Sequence, residues 1–171
     1  MDAAALPGGQ ARRVLFVCTG NICRSPTAEA VFVRLAEERG VAHLVRADSA
    51  GTHDYHAGEP PDARAQAAAR ARGYEMSHLR ARRIVPADFV AFDLILAMDR
   101  GHREILGRLA PQAEAGKIAL VLTYARHAQT LDVPDPYYGG PGGFEHVLDL
   151  LEDAAAGLLD ALGAEIARGM R

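Results

Sequence analysis

Residues 14–26 read Val14-Leu15-Phe16-Val17-Cys18-Thr19-Gly20-Asn21-Ile22-Cys23-Arg24-Ser25-Pro26. Four apolar residues form a run closed by a turn, the pattern of a strand buried on both faces, and helical periodicity begins at Thr27. The five residues between Cys18 and Arg24 therefore carry the chain from the end of a strand into the start of a helix. Backbone N–H groups at such a crossing lie at the positive end of the helix and can converge on a phosphate-sized anion. Gly20 and Asn21 are the residue types that accept the unusual backbone angles this requires. A cysteine at a helix N-terminus beside an arginine is favoured as thiolate, the nucleophilic form. Arg24 keeps its charge, and its planar fork matches two phosphate oxygens. Ser25 adds a hydroxyl able to donate to the sulfur.

Outward from this stretch, strand and helix alternate. The helix expected at 27–39 puts Ala28, Val31, Phe32 and Leu35 on one stripe and stops at Gly40. A second strand is expected at 44–49. An alanine-rich helix follows at 63–72, with Asp62 as its cap and Gly73 as its stop. A third strand at 94–98, a short helix at 102–109 and a fourth strand at 118–122 come next. A long helix from Gly143 turns Phe144, Val147, Leu148, Leu151, Leu158, Leu159 and Leu162 toward the core. Strands separated by helices imply an α/β fold, a four-stranded parallel sheet with helices on both faces and ligands at the carboxyl ends of the strands. Cys18 stands at such an end.

The nonapeptide Cys18 to Pro26 resembles the signature loop of the low molecular weight protein tyrosine phosphatases. Three later stretches resemble that family too: Ser49-Ala50-Gly51-Thr52 with Tyr55, Pro60-Pro61-Asp62, and Asp135-Pro136-Tyr137-Tyr138-Gly139. The likeness runs from Val14 to the last helix. It implies the Rossmann-like three-layer fold of the phosphotyrosine phosphatase I type, with Cys18 as nucleophile, Arg24 as the phosphate clamp and Asp135 as general acid and base. Thr19, Gly20, Asn21, Ile22, Cys23, Arg24 and Ser25 would form the phosphate-binding loop. Asp132, three residues before Asp135, is the rival acid, but only Asp135 matches the Asp-Pro-Tyr motif. Ile22, Tyr55, Tyr137 and Tyr138 match the walls of the family's cleft, and an aromatic slot favours a phenyl phosphate over a short phosphoserine. The expected partners are thus tyrosine-phosphorylated proteins or peptides. Cys23, beside Cys18 in the family's loop, is a candidate redox partner that could capture an oxidised Cys18 as a disulfide. Tyr137 and Tyr138 are themselves candidate phosphorylation sites.

Other activities on related scaffolds fit less well. In the protein arginine phosphatases of this fold, threonine stands where this chain has Ile22, and a different aromatic follows the Asp-Pro. Arsenate reductases need further redox cysteines downstream, and none follows Cys23. A binding module without turnover would not need Cys18, Arg24 and Asp135 together. No metal or cofactor is called for: there is no nucleotide-binding glycine motif, and the seven histidines lack the spacing of a zinc helix.

Composition bounds the remainder. At 171 residues, 49% hydrophobic and 24% charged, the chain has room for one domain with a proper core, expected over residues 12–171. Residues 1–11 are rich in alanine, proline and glycine and are expected to be a disordered tail rather than a signal peptide. Two cysteines, both in the loop, fit a reducing compartment, so a cytoplasmic protein is expected, although leaderless export would leave no recognisable signal. A net charge of −3 gives no support to nucleic-acid binding, and no stretch reads as a membrane span. Arg80, Arg82 and Arg83 form a local basic cluster, expected to be a solvated face. A monomer is the expected state. His56 and His78 receive no role, and the influence of Thr19 on the loop is left open.

Overall fold

Because β1 (Arg12–Cys18) lies between two neighbours, its apolar run splits by strand alternation into two cores. Val14 and Phe16 face one way, against Val31 and Phe32 of α1 (Arg24–Glu38) and Val147, Leu148 and Leu151 of α5 (Gly142–Gly169). The Phe16 and Phe32 rings meet edge to face with centroids 5.6 Å apart. Leu15 and Val17 face the other way, with Phe89 of α3 (Pro86–Ala91) and Leu106 of α4 (Arg100–Leu109). A run of four fully buried apolar residues is thus what a strand covered on both faces requires. This computed structural model describes residues 11–140 and 142–169. All of the expected tail but Ala11 falls outside them.

The sheet is four-stranded and parallel in the order β2-β1-β3-β4, with β2 at Val45–Gly51, β3 at Leu94–Ala97 and β4 at Ile118–Leu120. This is the α/β architecture expected from the alternation of strands and helices. Helix α2 (Ala63–Ala71) joins α1 and α5 on their face, with Asp62 accepting the Arg64 N–H as its cap. The chain leaves β1 toward β2 on one side and reaches β3 on the other, so β1 is the point where strand order reverses. Open α/β sheets bind ligands in the crevice at the carboxyl end of such a strand. Cys18 is the last residue of β1, paired with Gly51 of β2. Among the described residues, no helix is long and apolar enough to cross a membrane.

Several boundaries differ from the sequence reading, each for a local reason. Helix α1 starts at Arg24, three residues early. Pro26 lies in the first helical turn, where N–H groups have no intrahelical partner, so the ring interrupts nothing. Leu35 is only half-buried, and Ala36 takes the inner position instead. Strand β2 runs two residues further, to Gly51. Strand β4 ends at Leu120, because Val121–Tyr124 wind into a 3₁₀ turn in which the Thr123 hydroxyl donates to the Leu120 carbonyl at 2.6 Å. Helix α4 begins at Arg100, capped by Asp99, whose carboxylate accepts the His102 N–H at 2.9 Å. Helix α3 was not foreseen. Its six residues are too few for a periodic signal, yet Pro86 opens it and Asp88 accepts the Val85 N–H at 2.7 Å.

Of the arginine cluster, Arg80 and Arg83 are exposed as expected, while Arg82 is half-buried. Arg82 donates to both Asp48 and Asp88 at 3.0 Å, tying β2 to α3, and Arg80 donates to the carbonyls of Ser77 and Leu79. Arg83 bridges to Gly51 at the sheet edge.

Candidate active site

The loop after β1 is built by tying its carbonyls outward. The carbonyls of Cys18, Thr19 and Ile22 accept the N–H groups of Thr52, His53 and Asp62 at 2.8, 3.0 and 2.8 Å. In a trans peptide the C=O and the following N–H point opposite ways, and no peptide bond here is cis. The N–H groups of Thr19, Gly20 and Cys23, three residues that line the cleft, are therefore turned away from those partners. Gly51 permits the close packing of β2 behind it, since a Cβ there would lie 2.6 Å from the Thr19 carbonyl oxygen and 2.8 Å from that of His53.

Asn21 holds the loop's shape. It sits in the left-handed region at φ 58°, and its buried side chain spends both donor hydrogens and one oxygen lone pair on the structure. The amide donates to Ser25 Oγ at 2.8 Å and to Ser49 Oγ at 3.0 Å, while its oxygen accepts the Arg82 N–H at 3.0 Å. Ser49 in turn donates to Glu29 Oε1 at 2.7 Å. With Asn21 occupying a lone pair on Ser25, the serine proton is left for Cys18 Sγ, 3.0 Å away, or the more distant Ala50 carbonyl at 3.4 Å. Gly20 serves differently from expectation: what it permits is the close approach of His56, whose Cδ2 would lie 2.9 Å from a Cβ at that position.

Arg24, only 4% exposed, is gripped from two sides. One terminal nitrogen donates to Asp99 Oδ2 at 3.0 Å and to the Val133 carbonyl at 2.9 Å, and the other lies 3.7 Å from Asp135 Oδ2. The Val133 N–H is bonded to the Met98 carbonyl at 2.9 Å, which anchors the loop carrying Asp135 to the end of β3. Asp135 accepts the Tyr137 N–H at 3.0 Å, a local turn that leaves its other oxygen facing Arg24. Arg64 braces the same loop from α2, donating to the Tyr137 carbonyl at 3.1 Å and lying over the rings of Tyr137 and Phe144. Asp132 has a different task. Its carboxylate takes the N–H and side chain of Arg100, fastening the loop to the start of α4.

Cys18, Thr19, Gly20, Ile22, Cys23, Arg24, Tyr55, Asp135, Tyr137 and Tyr138 all line one cleft of about 350 Å³, together with His56. Asn21 and Ser25, also expected in the phosphate loop, are buried just behind it. Tyr138 is 90% exposed and meets Tyr137 edge to face, ring centroids 4.9 Å apart; across the mouth Tyr55 stacks on His53 at 4.9 Å. The His56 Nδ1 contacts Glu59 at 2.8 Å, so this histidine belongs to the wall. Burial, with Asp62, Cys18 and Asp135 nearby, pushes the Cys23 thiol up to about 12, which keeps it protonated.

The sequence model for low molecular weight phosphotyrosine protein phosphatase matches residues 13–168. The chain belongs to that family. Among low molecular weight phosphatase relatives, the low molecular weight protein-tyrosine-phosphatase of Streptomyces coelicolor is 49% identical over 157 residues, covering 90% of this chain and 95% of that one. The human low molecular weight phosphotyrosine protein phosphatase is 44% identical over 138 residues, 80% of this chain and 86% of the human one. A crystal structure of protein tyrosine phosphatase from Entamoeba histolytica, with Hepes in its active site, superposes with a TM-score of 0.88 at 39% identity, over 91% of this chain and 99% of that one. In this member of the phosphatase family, the sequence reading missed Asp99, Glu29, Arg64 and His102. Asp99 alone had a readable signal, as an aspartate at a strand-to-helix junction.

Proposed function

We propose that this chain hydrolyses phosphotyrosine in proteins or peptides through a cysteinyl-phosphate intermediate. The single observation that carries the proposal is the convergence of Cys18, Arg24 and Asp135 on one aromatic-walled cleft at the reversal point of the sheet. The names of the relatives agree with a phosphatase acting on tyrosine. Phosphoryl transfer has a loose transition state, so most of catalysis is positioning and electrostatic stabilisation of the equatorial oxygens, with a proton for the departing one.

In the first step the Cys18 sulfur attacks phosphorus in line, the bond from phosphorus to the phenolic oxygen breaks, and Asp135 gives that oxygen its proton. In the second, a water oxygen attacks phosphorus, the sulfur leaves, and Asp135 takes the water's proton. Arg24 and the N–H groups of Thr19, Gly20, Asn21, Ile22, Cys23, Arg24 and Ser25 bind the equatorial oxygens throughout. Asp99 holds the arginine fork so that little reorganisation is needed when the anion arrives. Ile22, Tyr55, Tyr137 and Tyr138 sandwich the phenyl ring, and the depth of the slot keeps a shorter phosphoserine from reaching the sulfur. Cys23 is the redox partner: a sulfenic acid on Cys18 loses water to the Cys23 thiol and forms a disulfide. The functional unit is one domain over residues 12–171, acting as a monomer in the cytoplasm.

The test is phosphate release from phosphotyrosine, phosphoserine and phosphoarginine substrates in parallel. Preference for phosphotyrosine supports the proposal. Preference for phosphoarginine would keep the chemistry and overturn the substrate, and absence of all turnover would leave a phosphate-binding module. Peroxide-treated protein without a Cys18–Cys23 disulfide in its mass spectrum would remove the redox role.

A further inference from the structure

Beside the network that runs from Ser25 through Asn21 and Ser49 to Glu29, the loop has a second support on its opposite side. Thr19, the residue after the nucleophile, has its hydroxyl 2.8 Å from Nε2 of His102 on α4. That histidine is 4% exposed, and its Nδ1 lies 3.1 Å from Asp99 Oδ1, close in distance but off the axis of a full hydrogen bond. The same carboxylate caps α4 through the His102 N–H and holds Arg24 through its other oxygen. One contact chain thus runs from Thr19 through His102 and Asp99 to Arg24, joining the two ends of the phosphate loop outside its backbone.

The direction of these bonds follows from charge. Burial, with Arg24 next to it, lowers the His102 pKa to about 4; Asp99 and Asp135 oppose this and His53 adds to it, so the ring is neutral at physiological pH. A neutral ring carries one proton, and Nδ1 faces a carboxylate, where a lone pair would be repelled. The proton therefore sits on Nδ1 and Nε2 is an acceptor. The Thr19 hydroxyl must then donate to His102, which commits its proton away from the cleft.

We propose that His102 is a positioning residue for the phosphate loop, accepting the Thr19 hydroxyl and sharing Asp99 with Arg24 so that the loop's first residue and its arginine are held in one arrangement. The proposal rests on the phosphatase reading for its functional consequence. Its geometric content concerns the setting of Cys18 and can be measured without turnover.

The experiment compares His102→Ala, Thr19→Val and the double variant with His102→Gln and Thr19→Ser. Glutamine can present an acceptor near the position of Nε2, and serine keeps the hydroxyl. Each variant is followed by urea unfolding, by kcat and KM on an aryl phosphate, and by the rate at which iodoacetate alkylates Cys18. The expected result is a fall in kcat/KM of about tenfold for each single loss, the scale of one buried hydrogen bond, and about the same tenfold for the double variant. The loss should lie mainly in kcat, and His102→Gln and Thr19→Ser should each recover most of it. Alkylation of Cys18 should slow by about threefold in both single variants and no further in the double. Losses that multiply to about a hundredfold would overturn the coupling. So would unaltered kcat/KM and alkylation rates accompanied only by a lower urea midpoint, the mark of a merely structural histidine. If the unmodified protein turns over no phosphate ester, the phosphatase reading fails, and the alkylation series alone still decides whether His102 and Thr19 act as a pair.

Discussion

Glu29→Gln is expected to raise the stability of the protein above pH 7 while leaving it nearly unchanged at pH 4.5. Glu29 lies on α1, 9% exposed, with the Ser49 hydroxyl as a donor to Oε1. Burial pushes its carboxyl up from 4.5 to about 7; Asp48 adds to the rise, while the Ser49 hydrogen bond and Arg82 oppose it. At about 1.4 kcal/mol per pH unit, the step from 4.5 to about 7 corresponds to about 3.5 kcal/mol as an upper bound. Below pH 4.5 folded and unfolded chains both carry the proton, and the residue contributes no pH dependence. Between 4.5 and about 7 the unfolded chain releases it while the folded one holds it, so stability falls as pH rises, and above 7 the whole loss is present. Glutamine keeps an acceptor for Ser49 and cannot ionise. Urea unfolding of both proteins from pH 4.5 to 8 should show their difference growing by about 2–3 kcal/mol across that window, since all other titrations are shared. A difference that does not vary with pH would refute the reasoning and would mean that Glu29 ionises as readily in the fold as outside it.

Two further outcomes follow from the geometry. Gly157→Ala and Gly163→Ala are the same change in the same helix, yet they should have opposite signs in urea unfolding. A Cβ at 157 would collide with the backbone carbonyl of Tyr124, for a loss of about 1–3 kcal/mol or more, while nothing lies near one at 163, for a gain of about 0.5–1 kcal/mol. Arg24→Lys should keep the charge and lose the fork that Asp99 and Val133 hold, lowering kcat/KM on an aryl phosphate by about 10²–10³-fold; a loss under tenfold would deny the fork its importance.

The parts of this protein that were legible in its sequence are those whose signal is local. The apolar run Val14 to Val17 forecast a doubly buried strand because its burial is set by the residues themselves. That Cys18, Arg24 and Asp135 share one cleft was legible through short motifs, and Asp62 as a helix cap through its position before an alanine-rich helix. What stayed hidden was built from contacts distant in the chain. Arg24 meets Asp99 across 75 positions, Thr19 meets His102 across 83, and the Asn21 side chain meets the Arg82 N–H across 61, and no spacing rule links such pairs. Arg82 read as a surface charge because Asp48 and Asp88 approach it only in the folded chain. The start of α1 was read late because the apolar periodicity begins only at Thr27, whereas the first turn, with Pro26 in it, carries no periodic signal.

The central claim is that phosphorus passes through the sulfur of Cys18. The most direct measurement is mass spectrometry of protein quenched during turnover of a phosphotyrosine peptide, with Cys18→Ser and Asp135→Ala alongside. The account predicts one phosphoryl group on the peptide containing Cys18 in the unmodified protein, no turnover and no phosphoryl group on Cys18→Ser, and strongly slowed turnover in Asp135→Ala. Continued phosphate release by Cys18→Ser, or a phosphoryl group found on another residue, would contradict it.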